Sequence, residues 1–217
     1  MATIVLVPVK PPSQAKERLA DTLEQSERRE LAVATLRTVV QAIAAAGLEL
    51  AVVTPDREAV AGLLPPGTVV IAESAAVQGL TAQIEAALAR PSFAAFSHVL
   101  ILHADLPLAS ADALRALAAC ANDGLTMVES ADGGTNALLA PLPLRFRLQY
   151  GRGSFGKHQT AAVAAGSLVS SLVSPALALD LDTPGDLRTL LSTPEGRSSP
   201  AGRLLVGWGL PERLAAL

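Results

Sequence analysis

Apolar residues along the chain fall into short continuous runs, separated by stretches in which they recur at helical spacing. This is the pattern of alternating strands and helices. Thr3–Val9 is an unbroken, largely β-branched run, as a strand covered on both faces requires. Between Ser26 and Ala46, Ala32, Leu36, Val39, Val40 and Ile43 form one stripe of a long helix, and Gly47 supplies its stop. Strands follow at Leu50–Thr54, Thr68–Ala72 and His98–His103. Helices are expected from about Asp56, over Thr81–Ala89, and from the Ser110 N-cap to Cys120. The expected fold is α/β, with a mostly parallel, doubly wound sheet.

After Leu125 the texture changes. Leu125–Glu129 and Asn136–Ala140 read as strands joined by a loop containing Gly133 and Gly134. A glycine loop at Gly151–Gly156 leads into a small-residue helix ending near Ala165. Leu168–Val173 and Ala176–Leu181 read as further strands, and Pro184–Leu191 as a helix with proline in its first turn. The pattern predicts a domain over residues 1–191. Residues 192–217 form an extension of unknown role, opening in Pro, Gly and Ser and carrying the apolar segment Leu204–Trp208.

Composition narrows the function classes. Half of the 217 residues are hydrophobic (50%) and only 17% are charged, against roughly 25% in an ordinary soluble domain. That balance excludes intrinsic disorder. The longest stretch without a formal charge, Gln159 to Leu179, is broken by serines, Gly166 and Pro175, so it does not read as a membrane span. The start of the chain lacks the pattern of a secretory leader, and a cytoplasmic protein is expected. A net charge of −3 with 3% aromatic residues argues against nucleic-acid binding. The single cysteine, Cys120, allows no internal disulfide and reads as a core residue.

With so few charges, those at strand ends stand out. Asp105 follows the most hydrophobic strand. Ligands of open α/β sheets bind outside the carboxyl ends of strands, where an acidic residue can hold a hard cation; the alternative is a turn cap before Pro107. Asp180 and Asp182 flank Leu181, and alternation puts both on one face. One of them can serve the helix start at Thr183-Pro184 while the other meets Asp105. Carboxylates from separate segments, with phosphates and water, are a usual Mg²⁺ environment. Lys10, Lys16 and Arg18 lie in the loop after the first strand, where they could neutralise nucleotide phosphates or form a solvated basic loop. The loop has no Walker pattern.

Gly151–Gly156 formally matches G-x-G-x-x-G, but a polar segment precedes it and it comes late in the chain, so it is a poor dinucleotide fingerprint. It suits an anion site, with backbone amides at a helix start and the Ser154 hydroxyl. Gly133-Gly134-Thr135-Asn136 admits the same reading, or that of a plain hairpin turn. His98, His103 and His158 have no metal-ligand spacing and receive no role.

Taken in order, several segments resemble one family. They are Val7-Pro8-Val9-Lys10 with Ala15–Leu19, Ala104-Asp105-Leu106-Pro107, Gly134-Thr135-Asn136, Tyr150-Gly151-Arg152-Gly153-Ser154-Phe155 and Asp180-Leu181-Asp182-Thr183-Pro184. The series is similar to the 2-phospho-L-lactate guanylyltransferases of coenzyme F-420 biosynthesis, over about residues 3–191. The resemblance implies a GT-A-like three-layer nucleotidyltransferase fold. It implies transfer of GMP from GTP to 2-phospho-L-lactate, phosphoenolpyruvate or 3-phospho-D-glycerate, with Mg²⁺ required and the product handed on to a deazaflavin transferase. By the same resemblance Asp105 and Asp182, with Asp180 as a lesser candidate, would hold the metal. Thr135, Asn136, Gly151, Gly153 and Ser154 would bind the acid, and Lys10, Lys16 and Arg18 would contact the phosphates of GTP.

Two departures accompany the resemblance. His103 stands where the family motif has proline, and the tail beyond about Ser192 exceeds the family's usual end. Other readings are a molybdopterin-type or sugar-phosphate nucleotidyltransferase, an NAD-binding oxidoreductase using Gly151–Gly156, and a nucleotide-sensing subunit without turnover. The missing glycine-rich loop after the first strand speaks against the first of these.

Overall fold

The structure, a computed structural model, describes residues 2–215. Seven strands form one sheet: β1 (Thr3–Pro8), β2 (Glu49–Thr54), β3 (Val69–Ala72), β4 (His98–Leu102), β5 (Leu125–Glu129), β6 (Thr135–Pro141) and β7 (Val169–Ser171). Their spatial order is β3-β2-β1-β4-β6-β5-β7. All neighbouring pairs are parallel except the two made by β6, which runs against both β4 and β5.

The continuous apolar runs are explained by burial on both faces, with successive side chains sorted to opposite sides. Val5, Val7, Val52, Leu100, Leu102 and Leu139 point into one core, and Ile4, Leu6, Val53, Val99, Ile101 and Leu138 into the other. The first core is roofed by α1 (Gln25–Ala46), through Leu36, Val39, Val40 and Ile43, and by α4 (Ala111–Ala118). A short helix, α2 (Arg57–Ala61), adds Val60. The second is closed by α3 (Leu80–Leu88), through Ile84 and Ala87, and by α5 (Ser154–Ala164), through Ala162. The result is the expected three-layer arrangement. The α1 stripe and its Gly47 stop, in left-handed backbone at φ 73°, also match the sequence reading.

Three readings are corrected. Ala176–Leu181 is not a strand. Ser174-Pro175 starts the short helix α6 (Pro175–Ala178), and the segment after it is extended but outside the sheet. The apolar–acidic alternation of residues 179–182 therefore belongs to a loop, tied to the segment after β4 through Leu181 N–H donating to the Asp105 carbonyl at 3.3 Å. The strand expected over Leu168–Val173 contracts to β7; Leu168 and Val173, the ends of the expected span, stand in solvent, 82% and 91% exposed. Cys120 is only half-buried, its thiol directed to the Ala116 carbonyl at the rim of the first core.

After α7 (Pro184–Leu191) the tail folds as α8 (Pro194–Ser198), α9 (Pro200–Gly207) and α10 (Leu210–Ala215). Leu205, Leu210 and Leu214 share a third apolar cluster with Leu187 and Leu190 of α7, Leu31 of α1, and Leu19 and Leu23 of the first loop. Arg213 clamps the same region, 2.8 Å from Glu27 and bonded to the Thr22 carbonyl. Burying this many leucines, at about 2 kcal/mol each, welds the tail to the loop that follows β1.

Candidate active site

β1 lies between β2 and β4, so the sheet reverses its order there and the loops after β1 and β4 diverge around a crevice. The first loop makes two tight turns, at Pro12–Gln14 and Glu17–Leu19, with Lys16 between them. Lys16 adopts φ 61°, a left-handed conformation that costs a non-glycine residue about 1–2 kcal/mol. It is held there because Leu19 is anchored in the third cluster and donates its N–H to the Lys16 carbonyl at 3.0 Å. The strained turn sends the Lys16 side chain inward, where it is only 4% exposed.

The Lys16 ammonium donates to Asp105 Oδ2 at 2.8 Å and to Asp182 Oδ1 at 3.4 Å, while Arg18 lies 3.7 Å from the second Asp182 oxygen. Burial disfavours the ammonium, but the charges of Asp105 and Asp182 outweigh it and raise the Lys16 pKa. Burial likewise opposes ionisation of Asp105, yet Lys16, helped by His103, holds its pKa below the ordinary range. Asp180 shifts the other way. Burial and the neighbouring charges of Asp105 and Asp182 push its pKa up to about 6, with a hydrogen bond from Asn136 opposing.

One carboxylate oxygen from each of Asp105, Asp180 and Asp182 falls within 4.8 Å of the others. Asp105 Oδ1 is buried without a hydrogen-bond partner. Three convergent carboxylates, one of which also carries an unsatisfied oxygen, suit a divalent cation such as Mg²⁺ or Mn²⁺. The loop reading of residues 179–182 changes the path to this cluster but not the outcome, since Asp180 and Asp182 do face one centre.

The second half of the site is built on β6 and α5. Gly151 and Gly153 take φ 121° and 65°, turning the chain into the helix. The cradle of free amides expected there is partly closed, because Ser154 N–H donates to the Gly151 carbonyl and Phe155 N–H to the Gly133 carbonyl. The hydroxyls of Thr135 and Ser154 beside this turn are themselves buried. Ser154 donates to Thr135 Oγ1 at 3.1 Å, and His158 Nδ1 lies 3.1 Å from the same oxygen. Gln149 N–H donates to His158 Nε2 at 2.8 Å, so Nδ1 carries the proton and also donates to Thr135. Burial, with the charge of His103 adding to it, lowers the His158 pKa to about 4 and keeps the ring neutral. Thr135 thus accepts twice and retains its own hydroxyl proton for a further acceptor.

Asn136 departs from its expected place on the substrate side. It is buried, and its amide nitrogen is directed to the carbonyls of Leu177 and Ala178 and to Asp180 Oδ1, at 3.1, 3.0 and 3.3 Å. It pins the acidic loop to β6. Lys10, Lys16, Arg18, Asp105 and Asp182 all line one cleft of about 530 Å³, together with Thr35, Leu36, Leu80 and His103. His98 is structural, its ring held between the Ser97 hydroxyl and the Asn122 carbonyl. The sequence reading missed His158 and Tyr150. Their signal was available in Tyr150-Gly151-Arg152-Gly153-Ser154, with a histidine one helical turn after Ser154.

Among the described residues, no helix is long and apolar enough to cross a membrane. Residues 3–201 match the family described as guanylyl transferase CofC like. A phosphoenolpyruvate guanylyltransferase of Sphaerobacter thermophilus is 36% identical over 206 residues, covering 92% of this chain and 98% of the relative. A 2-phospho-L-lactate guanylyltransferase of Haloterrigena turkmenica is 33% identical, over 82% and 80% of the two chains. Among solved structures, a Desulfovibrio desulfuricans protein assigned to the nucleotide-diphospho-sugar transferases superposes with TM-score 0.81 at 17% identity, covering 100% and 98% of the two chains. A Mycobacterium tuberculosis protein complexed with manganese superposes with TM-score 0.54 at 22% identity, over 89% and 100%. These two likenesses concern the fold.

Proposed function

The chain belongs to the CofC-like guanylyl transferases, and from that premise we propose that it transfers GMP from GTP to a phosphorylated three-carbon acid with release of pyrophosphate. The acid is phosphoenolpyruvate, 2-phospho-L-lactate or 3-phospho-D-glycerate, and the product passes to the next transferase of coenzyme F-420 biosynthesis. The observation that carries the reading is the meeting of Lys16 with Asp105 and Asp182 in a cleft whose volume suits a nucleotide.

A phosphate oxygen of the acid attacks the α-phosphorus of GTP. The new P–O bond forms as the bond from the α-phosphorus to the bridging oxygen breaks, and pyrophosphate leaves. No covalent enzyme intermediate is required, so the protein acts by positioning and charge neutralisation. Asp105, Asp180 and Asp182 would hold Mg²⁺, which when bound supplies charge stabilisation on the phosphate oxygens. Lys10, Lys16 and Arg18, which line the same cleft beside the carboxylates, neutralise the triphosphate. Thr135, with its free hydroxyl proton, and Ser154, with Gly151 and Gly153 shaping the turn, bind the acid.

Pyrophosphate release from GTP and Mg²⁺, measured with each acid in turn, tests this reading. Release is expected with at least one acid and is lost in Asp105→Ala. Silence with all three acids would sink the proposal, and full activity in the variant would remove Asp105 from the metal site.

A further inference from the structure

Among the described residues, three buried side-chain polar atoms have no hydrogen-bond partner: Asp105 Oδ1, His103 Nε2 and Tyr150 Oη. An unsatisfied buried group costs about 1–3 kcal/mol, and a native fold keeps few of them. Asp105 Oδ1 belongs to the acidic cluster. The other two sit on neighbouring rings. His103 and Tyr150 have centroids 5.7 Å apart, and Tyr150 meets His158 edge-on at 4.8 Å. This row of rings runs from the end of β4 to the helix bearing Ser154 and His158. His103 also lines the cleft that holds Lys16 and Asp105, and its backbone N–H donates to the Asn136 carbonyl at 3.0 Å. The pair therefore lies between the acidic cluster and the hydroxyls of Thr135 and Ser154.

We propose that His103 and Tyr150 form a two-donor wall of the acid pocket that hydrogen-bonds the carboxylate of the acceptor acid, making His103 a determinant of which acid is accepted. The inference rests on the guanylyl-transfer reading. The acid brings two anionic groups. Its phosphate would lie on the side of the cleft that carries Lys10, Lys16 and Arg18, which leaves the carboxylate to be met by the unpartnered side-chain donors. Tyr150 is one, since burial pushes its hydroxyl pKa up and keeps the proton in place. His103, whose buried Nε2 has no hydrogen-bond partner, is the other. A proline at position 103, as in the family motif, can make neither contact, so this wall is particular to chains with histidine there.

The test uses Tyr150→Phe, which keeps the ring packing, together with His103→Pro and His103→Gln, the last retaining a side-chain donor. KM for each acid and KM for GTP are measured separately, alongside the rise in melting temperature that each acid produces with Mg²⁺ but without GTP. Tyr150→Phe should raise KM for the acid about tenfold, the loss of one hydrogen bond to a charged group; His103→Pro, which also removes the backbone N–H bonded to the Asn136 carbonyl, should raise it at least as much, and both should reduce acid-induced stabilisation. KM for GTP should stay within about twofold, and His103→Gln should recover most of the loss. His103→Pro should also change the relative rates with the three acids. A rise in KM for GTP alone would assign the pair to the nucleotide and overturn the proposal, as would variants indistinguishable from wild type. A wild-type protein that neither turns over nor is stabilised by any of the acids would overturn this inference and the guanylyl-transfer reading together. An active wild type with unaffected variants overturns this inference alone.

Discussion

Replacing Lys16 with methionine removes an ammonium that is only 4% exposed and lies 2.8 Å from Asp105 and 3.4 Å from Asp182. Three carboxylates with oxygens within 4.8 Å then face one another without a counterion. Unpairing a fully buried charge costs about 3–5 kcal/mol. Here the side chains of Asp105 and Asp182 keep 24% and 40% exposure, so water screens them and the expected loss is about 1–3 kcal/mol. In a protein of this size that lowers the melting temperature by roughly 3–10 °C. Loss of the left-handed strain demanded of Lys16 does not offset this, because the backbone turn is held by Leu19 in the third cluster. A divalent cation should do for the variant what the ammonium does for the wild type. Thermal unfolding in chelated buffer and in saturating Mg²⁺ should therefore show a larger Mg²⁺-induced gain for Lys16→Met than for wild type, while its turnover falls sharply. Equal gains in the two proteins, or a variant as stable as wild type in chelated buffer, would refute the reasoning that Lys16 is the counterion of the acidic cluster.

Two further expectations concern the parts that hold the site in place. Leu205→Ala removes a fully buried side chain from the cluster joining the tail to the first loop, and should cost about 2–5 kcal/mol in urea denaturation; a loss below 1 kcal/mol, on the same scale, would show that the tail does not brace the loop. His158 has its pKa lowered from 6.5 to about 4, so between those values the unfolded chain binds a proton that the native state refuses. Its contribution is present above pH 6.5 and is lost as pH falls through that window, with a slope of up to about 1.4 kcal/mol per pH unit. Urea titrations at several pH values should show a flatter acid-side profile for His158→Gln than for wild type, and parallel profiles would contradict the neutral buried ring.

The layers were legible because strands buried on both faces write continuous runs, as in Val99-Leu100-Ile101-Leu102, and α1 writes a clear stripe. Asp105 was legible for the same reason, as an acid closing an otherwise apolar strand. Residues 179–182 were misread because alternation reports an extended backbone, not membership of a sheet; the loop bonds through Leu181 N–H to the Asp105 carbonyl, past the end of β4. The tail carried the signal that was read correctly at Thr183-Pro184. Thr193-Pro194 and Ser199-Pro200 are the same pairing of a capping hydroxyl with proline at the first helical position, obscured by the surrounding Gly and Ser. The spacing of His158 after Ser154 was legible, but the bonds that give His158 and Asn136 their places were not, since their partners lie 9 to 44 residues away and only the closed fold brings them near. The inward course of Lys16 depends on a left-handed turn that no residue type announces.

The most direct measurement is ³¹P NMR of a reaction containing the protein, GTP, Mg²⁺ and the preferred acid. The expected result is a new pair of coupled diphosphate resonances, from guanosine 5′-phosphate joined to the acid's phosphate, appearing in step with one equivalent of pyrophosphate and absent in Asp105→Ala. Consumption of GTP to GDP and inorganic phosphate, or pyrophosphate release without an acid-linked diphosphate, would contradict guanylyl transfer.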